Sequence, residues 1–162
     1  MADFDEVTLS GTTYKIPKPN SSPPWGEELN DYLKALGTSY STLVGVGDIP
    51  ETSVTIANNQ AAPAAVTGLS FDSAQVRAAN ISYAVFRSTD SNVVLEQGNI
   101  SLIYNAAASI GFKWTLQRDS MGGDAGIDFT VSDSGIVSYT STNLAGINYV
   151  GTMKFEAKAL LQ

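Results

Sequence analysis

Strict alternation of apolar and polar side chains is the feature of this sequence that most restricts its fold. From Ser53 onward, apolar residues recur at every second position in a series of short runs. A period of two places successive side chains on opposite faces of a β-strand, so each run turns one face toward a core. The alternating apolar positions are Ile81, Tyr83 and Val85; Ile100, Leu102 and Tyr104; Phe112, Trp114 and Leu116; Ile127, Phe129 and Val131; and Met153, Phe155, Ala157 and Ala159.

Turn-forming residues separate these runs. Segments rich in Gly, Ser, Asn and Asp occupy residues 88–92, 121–124, 132–135 and 145–148. Short strands joined by such turns indicate an antiparallel sandwich or barrel. We therefore predict a mainly β fold, an antiparallel jelly-roll-like sandwich over residues 51–162, with Trp114 in its core between Phe112 and Leu116.

The first 50 residues have a different character. Two β-prone runs flank Ser10 and Gly11, which predicts a hairpin, and a proline-rich extended stretch follows. Residues 27–44 are predicted to form the one helix of the chain, with acidic residues in its first turns and glycines after its end. Its apolar residues, at helical spacing, are Leu29, Tyr32, Leu33, Leu36, Tyr40 and Leu43. We predict an N-terminal attachment arm and helix over residues 1–50.

Composition excludes several classes of function. The chain has 162 residues with no Cys and no His, so disulfides, thiol nucleophiles and His-based triads or zinc sites are excluded. The net charge of -7 makes nucleic acid an improbable partner. No basic amphipathic helix or long apolar run indicates a membrane, and the acidic N-terminus does not resemble a signal peptide. We expect a non-enzymatic protein that needs no cofactor.

Acidic residues supply the remaining candidates for chemistry. Asp119, Asp124 and Asp128 surround a glycine-rich segment, as in an oxygen-ligand calcium site, but their spacing is not that of an EF-hand, and a polar loop is the favoured interpretation. A pair of carboxylates would suit glycoside hydrolysis, yet no pair is distinguished from the others. We therefore predict no catalytic, cofactor-binding or metal residues.

Aromatic and amide side chains are candidates for binding. Trp25 precedes the helix, where it would anchor the chain against a neighbour or stack on a sugar. Tyr104, Tyr139 and Tyr149 suit either a recognition surface or packing on a sheet. The neutral polar clusters would close turns or hydrogen-bond glycans; they comprise Asn58, Asn59 and Gln60, and Thr140, Ser141, Thr142 and Asn143.

Two groups of segments carry a resemblance to a known family. Residues 11–17, with the WGxxLxxYL pattern of residues 25–33, resemble the N-terminal region of structural proteins from tailed bacteriophages. The second group is similar to the C-terminal β domains of phage virion proteins, which are related in form to trimeric tumour-necrosis-factor-like jelly rolls. It comprises residues 66–72, 81–83, 123–129, 135–143 and 151–155.

This resemblance implies a homotrimeric virion protein that is assembled in the host cytoplasm and exposed on the particle surface. No heptad shaft separates helix and β body, which favours a capsid decoration (cement) or head-fibre protein bound to the major capsid protein or another virion protein. Tyr14, Ile16 and Trp25 are expected to attach to the particle, and the helix face of Leu29, Tyr32, Leu33, Leu36 and Tyr40 to pack at the base of the trimer. The alternative is a tail-fibre or receptor-binding protein that recognises host surface glycan through residues 88–92, 119–125 and 143–149.

Overall fold

The chain contains two compact units. The computed structural model describes residues 4–9, 12–17, 33–34, 36–37 and 45–162, and residue contacts divide the chain into Met1–Gly45 and Val46–Gln162. In the first unit, β1 (Phe4–Leu9) and β2 (Thr12–Pro17) pair antiparallel, with Val7 opposite Tyr14. The predicted N-terminal hairpin is therefore confirmed.

Part of the predicted helix is also described. Leu33, Lys34, Leu36 and Gly37 are helical, and Leu33 is less exposed than Leu36. The other residues assigned to attachment or helix packing lie outside the described residues; they are Trp25, Leu29, Tyr32 and Tyr40. Within the described part of the chain, no helical segment has the length and apolar character needed to cross a bilayer.

The second unit is a two-layer antiparallel β-sandwich, hereafter the β body. One sheet has the strand order β3-β10-β5-β6-β7 and the other has the order β4-β9-β8. The strands are β3 (Ile49–Thr55), β4 (Ala64–Ser70), β5 (Val76–Ser88), β6 (Val93–Tyr104), β7 (Trp114–Gly122), β8 (Ile127–Val131), β9 (Ile136–Ser141) and β10 (Val150–Leu161). The predicted fold class, a mainly β antiparallel sandwich, is confirmed.

The core lies between the two sheets and follows the alternation in the sequence. Ile81 and Val85 of the large sheet are buried, as are Phe129 and Val137 of the small sheet. Trp114 is buried as predicted, with its ring 6.4 Å from that of Phe71 and 5.1 Å from that of Tyr104 between centroids. These aromatic contacts close the core at one end of the sandwich.

Phe112 departs from the predicted alternation. It lies in the connection between β6 and β7 and is 73% exposed, because β7 begins only at Trp114. The preceding Gly111 has a φ of +89°, so the backbone still turns immediately before Phe112. The backbone N–H groups of Gly111 and Lys113 donate to the Asp133 carboxylate, which holds this connection against the β8–β9 turn. The expectation that Phe112 would be a core residue was therefore wrong.

The topology places the connections at two opposite ends of the β body. Antiparallel pairing aligns Ser88 of β5 with Val150 of β10 and with Val93 of β6, so these strands change direction at the same end. The first and last residues of the β body lie at the other end, where Asp48 accepts a hydrogen bond from the N–H of Ala159. We call the first the loop end and the second the base end.

Candidate functional site

The loop end gathers four connections of the β body. These connections, residues 56–63, 89–92, 123–126 and 142–149, join β3 to β4, β5 to β6, β7 to β8 and β9 to β10. They include most of the three segments that the sequence assigned to receptor recognition. Segments far apart in the chain therefore form one surface.

Arg87 lies at the centre of this surface and is 1% exposed. Its Nε donates to the Tyr149 hydroxyl at 3.1 Å, and its Nη2 donates to Asn58 Oδ1 at 2.9 Å and to the Thr142 carbonyl at 2.5 Å. Its Nη1 donates to the Ala125 carbonyl. One guanidinium group thus joins three of the four connections to the end of β5.

The acceptors around Arg87 are neutral. Among the described residues, no carboxylate forms an ion pair with Arg87. Carbonyl, amide and hydroxyl dipoles solvate its charge instead. The Tyr149 ring adds a cation–π contact, with the guanidinium carbon 5.6 Å from the ring centroid. Tyr149 therefore packs within the loop end, which agrees with the packing interpretation of this residue. A buried charge solvated in this way fixes the positions of the groups that surround it.

The β5–β6 turn is bound directly to the β9–β10 connection. The Thr89 hydroxyl and the Asn92 amide both donate to the Ala145 carbonyl at 2.8 Å. The Asp90 carboxylate accepts the backbone N–H of Ile147, also at 2.8 Å. These two segments therefore present a single, cross-linked surface.

The neutral polar clusters close turns, as the sequence favoured. Asn58 Oδ1 accepts the backbone N–H of Leu144 at 2.8 Å, and Asn58 Nδ2 donates to the side-chain oxygen of Asn143 at 3.1 Å. The Ser141 hydroxyl accepts the N–H of Gln60 at 2.9 Å. Tyr139 is buried, and its hydroxyl accepts the N–H of Ala57 at 3.0 Å.

A second buried polar cluster lies below the β7–β8 connection. Glu96 is buried, and its carboxylate accepts hydrogen bonds from the Tyr83 hydroxyl at 2.7 Å, from the Ala125 N–H at 2.9 Å and from Arg118. Arg118 Nε also donates to the Tyr83 hydroxyl at 2.7 Å. A polar pocket of about 390 Å³, lined in part by Glu96, Arg118 and Asp124, opens at this cluster.

The electrostatics of this cluster follow from burial. Desolvation raises the pKa of Tyr83 to about 12, and its hydrogen bond to Glu96 acts in the same direction. Burial opposes the charge of Arg118, yet its hydrogen bonds to Glu96 and Tyr83 raise its pKa above the usual value. At neutral pH, Tyr83 is therefore an un-ionised donor between an arginine and a carboxylate, and the cluster is a fixed structural unit.

The three aspartates considered for calcium do not converge. Asp119 points outward from β7, Asp128 points outward from β8, and Asp124 accepts the N–H of Gly126 at 2.7 Å within the loop. In the described part of the chain, no group of three or more acidic or other metal-ligating side chains is arranged to hold a metal ion.

Two residues predicted to attach the protein to a particle lie in the N-terminal hairpin. Tyr14 and Ile16 are on β2, opposite Val7 and Asp5 of β1. Their role, like that of the helix residues, stays a prediction.

Sequence reasoning missed the buried charges. Arg87 continues the inward positions Ile81, Tyr83 and Val85 of β5, and Arg118 continues those of Trp114 and Leu116. Glu96 occupies the inward phase of β6 in the same way. A charged residue in the buried phase of an alternating strand was the signal that would have identified all three.

Comparisons with known proteins give limited similarity. No family model matches the chain, and no curated protein matches it. Among solved structures, the chain is similar to the tailspike protein of Acinetobacter phage vB_ApiP_P1, with 15% sequence identity and a TM-score of 0.37. The match covers 72% of this chain and 21% of the tailspike chain, so it spans about a fifth of that protein.

Proposed function

We propose that this chain is a non-enzymatic structural protein of a bacteriophage virion that attaches through its N-terminal residues and displays its β body. The resemblance of residues 11–17 and 25–33 to the N-terminal regions of phage structural proteins supports this role. The division of the chain at Gly45 supports it as well, because the β body has a core of its own.

The observation that carries the proposal is that the two ends of the β body differ. Its first and last residues lie at the base end, where Asp48 contacts Ala159 and Gln162 donates to the Gln75 carbonyl. Four connections lie at the loop end: Arg87 joins three of them, and Thr89 and Asp90 bind the fourth to the β9–β10 connection. A unit whose chain enters and leaves at one end is suited to presenting the opposite end.

In its finer form, the proposal is a trimeric capsid decoration or head-fibre protein. Three copies would match a local three-fold axis of an icosahedral shell, and the major capsid protein or another virion protein would be the partner. The N-terminal segment, with an excess of acidic residues, would then dock on a neutral or basic surface of that partner.

A second candidate is a tail-fibre or receptor-binding protein. The specific observation in its favour is that residues 88–92 and 143–149 are cross-linked into one surface with the β7–β8 connection. Such a surface has the fixed geometry that selective recognition of a host glycan would need.

Removal of the N-terminal unit tests attachment. A protein of residues 46–162 retains every core residue that the structure describes in the β body, so it should still unfold cooperatively on heating. We expect the full chain, but not the shortened one, to bind phage particles that lack this protein. Equal binding by both would contradict the attachment role, and gold labelling of Gln162 on intact particles would distinguish head from tail.

Competition tests the receptor candidate. Soluble protein should bind host cells and block infection, and charge substitution of the exposed loop-end residue Ser91 should weaken both effects. A matched substitution at Ser134, which is exposed at the base end, should leave them unchanged. Failure of the soluble protein to bind cells would exclude this candidate.

A further inference from the structure

The outward surface of β5, β6 and β7 is almost free of charge beyond Arg77, which is exposed at the start of β5. Its side chains, called here the outer face, are Asn80, Ser82, Ala84, Phe86 and Ser88 of β5; Val93, Leu95, Gln97, Asn99 and Ser101 of β6; and Gln117, Asp119 and Met121 of β7. Asp119 is the one ionisable residue among them. The adjoining strand β10 has the usual character of an exposed strand, with Lys154, Glu156 and Lys158 pointing outward.

Large apolar side chains cluster at one end of the outer face. Phe86 is 36% exposed, and Val93, Leu95 and Met121 are each more than 60% exposed. Phe86 lies opposite Leu95 in the strand register, and a groove of about 520 Å³ runs past them. Lys154 of β10 also lines this groove, so the apolar cluster has a charged residue at its border. A contiguous apolar surface with charge only at its border is typical of the centre of a protein–protein interface.

The polar rows of the outer face are already paired across the strands. The Ser82 hydroxyl donates to Asn99 Oδ1 at 3.1 Å, and the Ser101 hydroxyl donates to Asn80 Oδ1 at 3.0 Å. Covering these rows would therefore remove neutral, partly satisfied groups from water rather than ions. The cost of desolvation is correspondingly small.

We propose that a second copy of this chain covers the outer face. The chain carries a net charge of -7, so two copies repel each other wherever their charged surfaces meet. A face with a single carboxylate lets like-charged copies approach closely. A basic partner, in contrast, would be expected to select an acidic face.

The size of the outer face agrees with this occupant. Three strands about 4.8 Å apart and nine residues long, at about 3.4 Å per residue, span roughly 14 Å by 30 Å. The flat projection is thus on the order of 400 Å², and the accessible area is larger because the side chains stand out from the sheet. The projection is about half of the roughly 800 Å² that each partner contributes to a stable interface, so the outer face can form a large part of one.

The inference rests on the finer form of the proposed function, in which several copies assemble, and it names the surface where they meet. Its test uses the oligomeric state of the purified full chain, which is measured without phage particles. A failure of particle binding and a failure of this interface are therefore separate results.

The first experiment places a charge on the outer face. Leu95→Glu should raise the dissociation constant of the assembly at least 30-fold, as measured by light scattering across a dilution series. Thr130→Glu, on the outward side of β8 in the small sheet, is the matched control and should leave assembly unchanged. At a concentration low enough to dissociate the parent assembly, both variants should melt at nearly the temperature of the parent chain.

The second experiment uses the absence of cysteine. Gln97→Cys gives the chain a single thiol on the outer face, and a short bismaleimide should then link two copies, whereas Thr130→Cys should give little product. A monomeric parent chain, or equal linking of both variants, would overturn the inference. Unchanged assembly of Leu95→Glu would overturn it as well. Lower thermal stability of that variant would then indicate that the face packs within one chain, and lost glycan binding would indicate that the face binds sugar.

Discussion

Replacement of Arg87 by methionine tests whether the loop end is held by its buried guanidinium group. The side chain of methionine fills similar space but donates no hydrogen bond. The Ala125 carbonyl, Asn58 Oδ1, the Thr142 carbonyl and the Tyr149 hydroxyl would each lose a charged donor. The variant should therefore be less stable, with the largest disturbance in the connections at the loop end.

The expected loss can be estimated from these contacts. Four hydrogen bonds to a charged group contribute roughly 1.5–3 kcal/mol each. Several kcal/mol of this gain is offset by the desolvation of the buried arginine, which the variant no longer requires. Two acceptors also keep another donor, since Leu144 N–H reaches Asn58 Oδ1 and Asn59 N–H reaches the Thr142 carbonyl. The free energy of unfolding should fall by about 3 kcal/mol, and the melting temperature by roughly 10 °C.

Urea unfolding followed by tryptophan fluorescence and far-UV circular dichroism measures this loss. Arg77→Met is the matched control, because Arg77 lies on the same strand and is exposed. It should change stability by no more than about 0.5 kcal/mol. Equal unfolding midpoints for the two variants would refute the reasoning and show that neutral acceptors do not make Arg87 a stabilising group.

Three further predictions concern the glycine turns, a buried phenol and the base end. Gly135→Ala should destabilise the protein more than Gly68→Ala. Both glycines have a φ near +80°, but a Cβ at Gly135 would press on the Phe71 carbonyl, whereas a Cβ at Gly68 would meet open space. The difference in melting temperature between the two variants therefore isolates this clash. Because its folded pKa is about 12 and its unfolded pKa about 10, Tyr83 should contribute stability that is complete below pH 10 and lost as pH rises through 12; Tyr83→Phe should reduce that pH dependence in unfolding experiments. Hydrogen bonds from two backbone N–H groups lower the pKa of Asp133, so Asp133→Ala should destabilise the protein at neutral pH. The stability difference between the variant and the parent should shrink as pH falls below the usual carboxyl pKa. The variant should also be cleaved faster by protease in the β6–β7 connection.

The strand pattern predicted the core well because burial and alternation have the same physical cause. Ile81, Val85, Met153 and Phe155 are buried as their period indicated. The error at Phe112 arose where an apolar residue preceded a strand rather than belonging to it. Lys113, between Phe112 and Trp114, is held by a hydrogen bond from its N–H to Asp133. The two residues are twenty positions apart, so no local pattern contains this contact.

The order of strands and the site required contacts that the sequence does not show. Strand β10 lies between β3 and β5, so Met153 is opposite both Val54 and Val85. Pairings over such separations depend on which faces can be buried together, not on the residues of one strand. The sequence identified the loops proposed for recognition one by one. That the strand order brings them together around Arg87 could not be read from the sequence.

The absence of cysteine gives the buried charges their importance. Connections exposed at the end of a sandwich lose stability through chain entropy, and small extracellular domains commonly restrain them with disulfides. This chain has no cysteine, so Arg87 and the Glu96–Arg118–Tyr83 cluster restrain the loop end instead. The two groups meet at Ala125, whose carbonyl accepts from Arg87 and whose N–H donates to Glu96. A disturbance of either group should therefore reach the same connection, because the β7–β8 loop links the two groups that restrain the loop end.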